Sequence, residues 1–512
     1  MRRILIPDIL EQAVESHAER IAVKEGQRRI TYRELGERVV RLAAVLRARA
    51  AAPGDRVGIL APNSSLFLEA YFAAARAGLV LVPLNTRGHT QGLARILEHS
   101  GASSLLVHGD LVLPGGEIAR RCGIPLIRSD ELDEPSRSSA SLPRYAGRTD
   151  DAAQIYYTSG TTGEPKGVVL THANVCAHAE MAREALALTD ADTFGHIAPM
   201  FHLADAWATF SITLVGGCHR VIGSFRPEAV IDELSSGITI TNLVPTMLGD
   251  LVHHPAARRP YPGLRKILSG GAPITPALVD RVIATFGCEY AQTYGLTETS
   301  PFLTMSLLPE HLKSRSRAVQ CGFQCKTGRP LPGVEVRVLG DDGSPVPPDE
   351  TTVGEIVARG PTVTPGYWRN EEATAQAFRD GWFHTGDLAV LDEEGFVNIV
   401  DRKKDVILSG GETIYSTEVE NALAAHRAVQ QVAVVGVPHP RWGEAVLAVV
   451  VAAEGAALSE QTLHEHAKSH LGAHQVPKAF ELRGDLPLTG SGKVAKRLLR
   501  EEYETRFSTR GS

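Results

Sequence analysis

In the first part of the chain two hydrophobic periods take turns. Ile9, Leu10, Ala13 and Val14 recur at helical spacing and predict an amphipathic helix. A second helix is predicted from Thr31, where Thr31 and Glu34 form a capping box and Leu35, Val39, Leu42 and Leu46 share one face. Residues 56–60 and 79–83 are short, nearly continuous apolar runs, with another helix predicted from Ser65 between them. Strands that lack polar alternation and are separated by helices predict a parallel sheet covered on both faces. The pattern breaks over 128–149, a stretch rich in Ser, Pro and charge that reads as a mobile surface connection.

The next two strands, predicted at 153–157 and 168–170, enclose a stretch of another kind: Thr158-Ser159-Gly160-Thr161-Thr162-Gly163-Glu164-Pro165-Lys166-Gly167. Glycines let backbone N–H groups approach an anion, hydroxyls add donors, and lysine supplies a point charge, so the composition suits a polyphosphate. The spacing is not that of the common nucleotide loop G-x-x-x-x-G-K-[ST], and a plain Gly/Ser/Thr-rich hairpin is the bland alternative. After it Thr171 caps a predicted helix.

Further on, 196–203 reads as a strand ending in the polar turn around His202 and Leu203. Residues 266–268 form a strand before the glycine-dense turn Ser269-Gly270-Gly271-Ala272-Pro273. Gln292-Thr293-Tyr294-Gly295-Leu296-Thr297-Glu298 offers an aromatic, hydroxyls and one carboxylate at a strand end, where open α/β sheets bind ligands. Such a carboxylate beside a phosphate loop can hold Mg2+ together with phosphate oxygens, although Thr297 could equally be a helix cap. From 328 short alternating strands and turns predict a β-rich subdomain reaching 401. The charge run Asp401-Arg402-Lys403-Lys404-Asp405 marks the expected domain boundary. Beyond it, Gly410-Gly411-Glu412 is a loop, Ser416 or Thr417 caps a helix through His426, and strands run near 432–437 and 445–451. A helix capped by Ser459 follows, and Lys493 ends the glycine-flanked turn Thr489-Gly490-Ser491-Gly492.

Taken in order, Tyr-Thr-Ser-Gly-Thr-Thr-Gly-x-Pro-Lys-Gly and the segments after it resemble the adenylate-forming enzymes. These are the acyl- and aryl-CoA synthetases, the peptide-synthetase adenylation domains and luciferase. The resemblance covers nearly the whole chain and is strongest to acyl-CoA and 4-coumarate–CoA-type ligases. It implies a large N-terminal domain over 1–401, built of α/β sheets with the β-rich subdomain, and a small mobile α/β domain over 402–512.

By the same resemblance ATP is held by Thr158, Ser159, Gly160, Thr161, Thr162, Gly163 and Lys166, by the Gly271-Ala272-Pro273 turn, and by Gln292, Thr293, Tyr294, Gly295 and Thr297. Asp387 and Arg402 take the ribose, Thr297 the α-phosphate, and Glu298 the Mg2+. His202, with Leu203, Gly270, Gly271, Tyr294 and Gly295, lines the acid pocket. Lys493 reaches the reacting carboxylate and phosphate, Lys404 is the hinge, and Gly410-Gly411-Glu412 lines the path of CoA. The activity implied is acyl-adenylate formation from a carboxylic acid and ATP, then thioester formation with CoA. A carrier-protein thiol or another acceptor is the alternative. Leu203, standing where amino-acid-activating relatives carry Asp, points to a neutral hydrophobic or aromatic acid, with the nearby Asp205 as the main risk to that argument. Two departures qualify the resemblance: Thr413 and Ser416 replace the usual Asn and Pro after the Gly-Gly-Glu loop, which bears on the acceptor, and Leu488 stands where a basic residue is common before the terminal lysine.

Composition narrows this little further. A net charge of -6 over 512 residues gives no sign of nucleic-acid or anionic-membrane binding. Six scattered cysteines fit a reducing cytoplasm, and the C-x3-C pair Cys321 and Cys325 reads as structural. Pro7-Asp8 interrupts the apolar start as no secretory signal does, and the longest apolar run, 445–453, is under half a bilayer span.

Overall fold

The computed structural model describes residues 4–49, 52–132, 144–158, 165–453, 455–488 and 494–509. The chain forms two compact units, Met1–Val336 with Ala358–Phe383, and Arg337–Val357 with His384–Ser512.

Two sheets organise the first unit. In one, the strands run in the order Leu126–Arg128, Ala102–Val107, Arg56–Leu60, Val80–Pro83, Ala152–Thr158 and Lys166–Thr171. All neighbours are parallel except the last pair, which is an antiparallel hairpin. The other sheet has nine strands, in the order Arg329–Pro330, Phe302–Met305, Glu289–Gly295, Lys266–Gly270, Ile240–Leu243, Thr193–His196, Cys218–Val221, Ile21–Glu25 and Arg28–Thr31. Its central strands are parallel, so its loops gather at one end, as the apolar runs require. The predicted early helices are Ile6–His17, Tyr32–Ala48 and Ser65–Ala77. The Thr31 capping box is formed: its hydroxyl accepts from Glu34 N (3.2 Å), and its N–H donates to Glu34 Oε2 (2.7 Å). Thr171 caps His172–Ala185 in the same way through Asn174.

Residues 335–402 supply the expected β-rich stretch, with Trp382–Leu391 pairing antiparallel to Val397–Arg402. The other sheet of the second unit is built on Val429–His439 and Gly443–Ala452, with Ala479–Arg483 parallel beside the latter. Alternate residues of these strands enter different cores. Val434, Val446, Ala448 and Val450 pack on one side, and Val435, Leu447, Val449 and Tyr503 on the other. This explains the unbroken apolar run at 445–453 without any membrane. Among the described residues no helix is long and apolar enough to cross one.

Three local expectations are corrected. The strand expected over 196–203 stops at His196, and a turn leads to the helix Leu203–Leu214. Pro199 has no N–H to give a sheet, and the Asn63 side chain takes the hydrogen bonds of this stretch. Thr297 is not a helix cap but opens the single 3-10 turn Thr297–Thr299, where Thr299 Oγ1 accepts from Leu296 N (2.9 Å). Ser416 is the first helical residue rather than the cap, because its N–H and hydroxyl are both taken by Asp401, and the helix ends at Ala424.

Candidate active site

The phosphate-type stretch is the tip of a hairpin. Thr158 pairs with Lys166 and Tyr157 with Gly167, while Ser159, Gly160, Thr161, Thr162 and Gly163 lie outside the described residues. A second segment, 364–368, is tied along the hairpin. Trp368 N donates to Gly167 O (2.7 Å), Val169 N to Gly366 O (3.2 Å), and Thr364 Oγ1 to Val169 O (2.5 Å). This lays the ring of Tyr367 against Lys166, whose Nζ is 5.1 Å from the ring centroid. The Tyr367 hydroxyl donates to Glu298 Oε1 at 2.9 Å. Burial, and then the neighbouring Glu298 carboxylate, push the phenol above its ordinary range, so the proton stays on the hydroxyl that donates. The same segment grips the Glu298 turn, with Thr364 N donating to Glu298 O (2.8 Å) and Ser300 Oγ to Thr362 O (2.6 Å). Lys166 and Glu298, far apart in sequence, are thus joined through one tyrosine that the sequence reading did not single out.

The turn after Lys266–Gly270 and the strand Glu289–Gly295 stand side by side, Ser269 opposite Gln292 and Gly270 opposite Thr293. Gln292 Nε2 donates to Ala272 O (2.8 Å), and Thr293 Oγ1 to Ser269 O (2.9 Å), so the strand fixes the turn. Gly295 admits no side chain, because a Cβ there would lie 1.7 Å from Pro301 O. Gly271 has φ +80°, in the region that glycine occupies without strain. Gly271, Ala272 and Pro273 are exposed, Tyr294 and Thr297 are half-buried, and Glu298 is buried.

His202 is the N-cap of Leu203–Leu214, its Nδ1 accepting from Ala204 N (3.3 Å), and the ring is half-buried. The turn before it is held by residues from distant elements. Asn63 donates to Ala198 O (2.8 Å) and accepts from Met200 N (2.8 Å). Tyr71 donates to Met200 O (2.9 Å), and Tyr156 donates to the Tyr71 oxygen (2.9 Å). The helix start is held as well: Ala204 O accepts from Asn242 Nδ2 (2.6 Å) and Trp207 Nε1 (3.1 Å). Leu203 is buried and belongs to the core.

In the second unit Asp387 and Arg402 are register partners, with Oδ1 to Nε 3.1 Å. The carboxylate is buried and the guanidinium half-exposed, a donor–acceptor pair suited to vicinal hydroxyls. Glu355 organises this corner, a role not read from the sequence. It accepts from Gly386 N (3.2 Å) and faces His384 Nδ1 (3.3 Å) and Lys403 Nζ (3.4 Å). Burial opposes its ionisation, but the bond to His384 and the Lys403 charge hold it below the ordinary carboxylate range. Lys404 lies in a turn closed by Asp405 N donating to Arg402 O (2.8 Å). Gly410, Gly411 and Glu412 form an exposed turn with φ +62° and +88° at the glycines, and Gly410 N donates to Trp442 O (2.8 Å). Lys493 lies outside the described residues.

Among the described residues no three His, Cys, Asp or Glu side chains converge on a metal-sized site. Glu298 offers a carboxylate beside the described part of the phosphate hairpin, held through Tyr367. One carboxylate with substrate phosphates is the donor set Mg2+ commonly takes. A lysine, a carboxylate and a glycine–hydroxyl hairpin at one place can bind and charge-compensate a polyphosphate.

Comparison with known proteins agrees with that chemistry. Residues 10–368 match the model described as "AMP-binding enzyme", and residues 418–493 its C-terminal domain. A feruloyl-CoA synthase from an Amycolatopsis species is 40% identical over 497 residues, covering 94% of this chain and 96% of that protein. A long-chain-fatty-acid–CoA ligase from Thermus thermophilus is 39% identical over 500 residues, covering 94% and 91%. The structure of o-succinylbenzoate CoA synthetase from Bacillus subtilis, with its acyl-adenylate intermediate, aligns with a TM-score of 0.87 at 30% identity, covering 96% and 98%. With both family models matched in order and relatives alike over nearly their full length, this chain belongs to the adenylate-forming AMP-binding enzymes.

Proposed function

We infer that the chain is an ATP-dependent carboxylic acid–CoA ligase that forms AMP and pyrophosphate. The junction of Lys166, Tyr367 and Glu298 under the phosphate hairpin carries this reading. A carboxylate is a poor electrophile, so its oxygen first attacks the α-phosphorus of ATP, giving acyl-adenylate and pyrophosphate. The CoA thiol then attacks the acyl carbon and AMP leaves. The first step brings an anion to a polyanion, so electrostatic stabilisation carries most of the rate. Lys166, Thr158 and the 159–163 loop hold the β- and γ-phosphates, and Thr297 the α-phosphate. Glu298 would hold Mg2+, which would supply charge neutralisation at the phosphates. Tyr367 orients the Glu298 carboxylate by its hydrogen bond. Tyr294, Gln292, Thr293 and the 271–273 turn take the adenine, Asp387 and Arg402 the ribose, and His202 stands beside the acid's carboxylate. Lys493 stabilises the charge between carboxylate and α-phosphate. The thioester step instead uses the Gly410-Gly411-Glu412 turn as the pantetheine path, after movement at the Lys404 hinge.

The acid is a neutral hydrophobic or aromatic monocarboxylate rather than an α-amino acid. Leu203 offers nothing to an ammonium group. Asp205 is fully buried, with its Oδ1 2.5 Å from His196 Nδ1, which supports excluding it from that task. Working on such an acid with ATP and CoA places the protein in the cytoplasm. The test is ATP–pyrophosphate exchange with ferulate, 4-coumarate, octanoate, dodecanoate, phenylalanine and leucine, followed by CoA and acyl-carrier protein as competing acceptors. Aryl or fatty acids should support exchange, and CoA should accept the acyl group. Faster exchange with the amino acids would refute the substrate reading, and transfer only to the carrier protein the acceptor reading.

A further inference from the structure

The helix that His202 caps carries both ends of a chain of buried hydrogen bonds. Asp205 Oδ1 is 2.5 Å from His196 Nδ1, His196 Nε2 is 2.9 Å from His219 Nδ1, and His219 Nε2 is 3.0 Å from Thr213 Oγ1. Asp205, His196, His219 and Thr213 are all 0% exposed. The series begins and ends on the helix Leu203–Leu214 and crosses the ends of two adjacent strands, Thr193–His196 and Cys218–Val221.

The direction of each bond follows from the far end. Thr213 donates its hydroxyl hydrogen to Thr209 O (2.7 Å), so its oxygen accepts from His219 Nε2–H. Burial, and then the neighbouring His196, hold His219 well below its ordinary range, so its ring is neutral and Nδ1 accepts from His196 Nε2–H. One proton remains for the pair His196 Nδ1 and Asp205 Oδ1. Either the carboxyl donates it or the imidazolium does, and the pair is neutral in sum both ways. Other titratable groups near Asp205 are Tyr71 and Tyr156, whose phenols burial raises first and the Asp205 charge further.

The network is costly if it serves packing alone. Asp205 Oδ2 has no hydrogen-bond partner among the described residues, although it is fully buried. Apolar side chains of similar size fill such a space at less cost in desolvation. The cost falls at one place. Asp205 is the third residue of the helix whose cap is His202, and Asp205 N and Ala206 N both donate to His202 O, at 3.0 and 3.1 Å. A carboxylate tied to the sheet at this position fixes the rotation of the first turn, and with it the imidazole of the cap.

We propose that Asp205, His196, His219 and Thr213 form a positioning network that sets the His202 turn against the carboxylic acid substrate. The inference rests on the acid–CoA ligase reading and on the place given there to His202. All four are fully buried, and none of them is assigned a contact with substrate. Their effect on the acid is indirect, through the placement of the turn.

The test uses full-length enzyme, ATP–pyrophosphate exchange with ferulate and with dodecanoate, and thermal unfolding. Asp205→Leu and His196→Leu should lower kcat/KM for the acid by at least about tenfold and leave KM for ATP within about twofold, as misplacement of a substrate-facing turn requires. Asp205→Asn should restore kcat/KM for the acid to within about threefold of the parent, because its amide can donate to His196 Nδ1 and leave the His196–His219 and His219–Thr213 bonds in their direction. Should Asp205→Leu fail to fold, Thr213→Val removes the terminal hydroxyl, with its bonds to His219 and to Thr209 O, and leaves the Asp205–His196 end intact. It should weaken use of the acid about threefold and leave KM for ATP unchanged. Losses that fall equally on acid and ATP, a lowered unfolding temperature with unchanged kcat/KM for the acid, or an Asp205→Asn enzyme as poor as Asp205→Leu would each overturn the proposal. His202→Ala separates the two readings. A strong effect there with a silent Asp205→Leu overturns the network, whereas the reverse overturns the role of His202 and supports a network that sets the turn.

Discussion

Glu298 in the first unit and Arg402 in the second are both assigned to ATP in the proposed function, yet they are held very differently. Glu298 is 8% exposed and is gripped by Tyr367, Thr364 and the 362 carbonyl bonded to the next turn. The Arg402 side chain is 45% exposed and lies against Asp387, Nε to Oδ1 3.1 Å. The contrast extends outward. His202 and Gln292 sit in turns fixed by side chains from remote elements, while Gly410, Gly411 and Glu412 form an open turn. Groups that must stabilise a developing charge gain from being fixed beforehand. Groups that act on a ribose or a passing pantetheine arm can be ordered by the ligand. On the proposed assignment the first unit is built for preorganisation, and the second for access.

Four changes test that division, taken from the largest effect down. Lys493→Ala should cut adenylation at least about a hundredfold, the scale of losing one transition-state donor. Given preformed acyl-adenylate, the same enzyme should make thioester at near the parent rate. Equal slowing of both steps would show one static site serving both, and the hinge at Lys404 would have to be abandoned. Gly411→Leu should do the reverse. A branched residue at φ +88° is strained, and its bulk stands in the pantetheine path, so thioester formation should fall about tenfold or more while pyrophosphate exchange persists.

Tyr367→Phe probes preorganisation directly. Losing a hydrogen bond to a charged group costs about 1.5–3 kcal/mol. Exchange should therefore slow about tenfold, with a higher Mg2+ requirement, because the Glu298 carboxylate is no longer aimed. An unchanged Mg2+ titration would remove Tyr367 from that role. The smallest effect is expected for Arg402→Lys. At a half-exposed pair it should raise KM for ATP about threefold and leave the unfolding temperature unchanged. A large loss of stability there would erase the distinction between the two units.

Lys166 and Glu298 were legible as candidates from the residue types around them, and Asp387 and Arg402 only through the family resemblance. Asn63, Tyr367 and Glu355 were not. Each acts through bonds to elements far along the chain, and its own neighbourhood shows only a turn or a strand. The misread strand over 196–203 has the same origin. Its apolar run is what a strand looks like, but Asn63 and Tyr71 occupy the backbone groups that a sheet would use. Ser416 has the residue type of a cap, but Asp401 reaches it first. Periodicity reports which face is buried, and it is silent on which partner a polar group finds.

The Gly295 contact has a consequence for laboratory evolution of this enzyme. With 1.7 Å between a would-be Cβ and Pro301 O, saturation libraries at 295 should return almost only the parent codon among active clones. Gly270 is similarly closed, by Thr293 O at 2.8 Å. Neither position offers a step toward another acid that a single mutation can take. Asn242 is placed differently: its side chain holds the helix start through Nδ2 and carries a buried Oδ1 with no partner among the described residues. A screen seeded at 242 and read with hydroxylated against unsubstituted aryl acids would search the part of sequence space that the backbone leaves open.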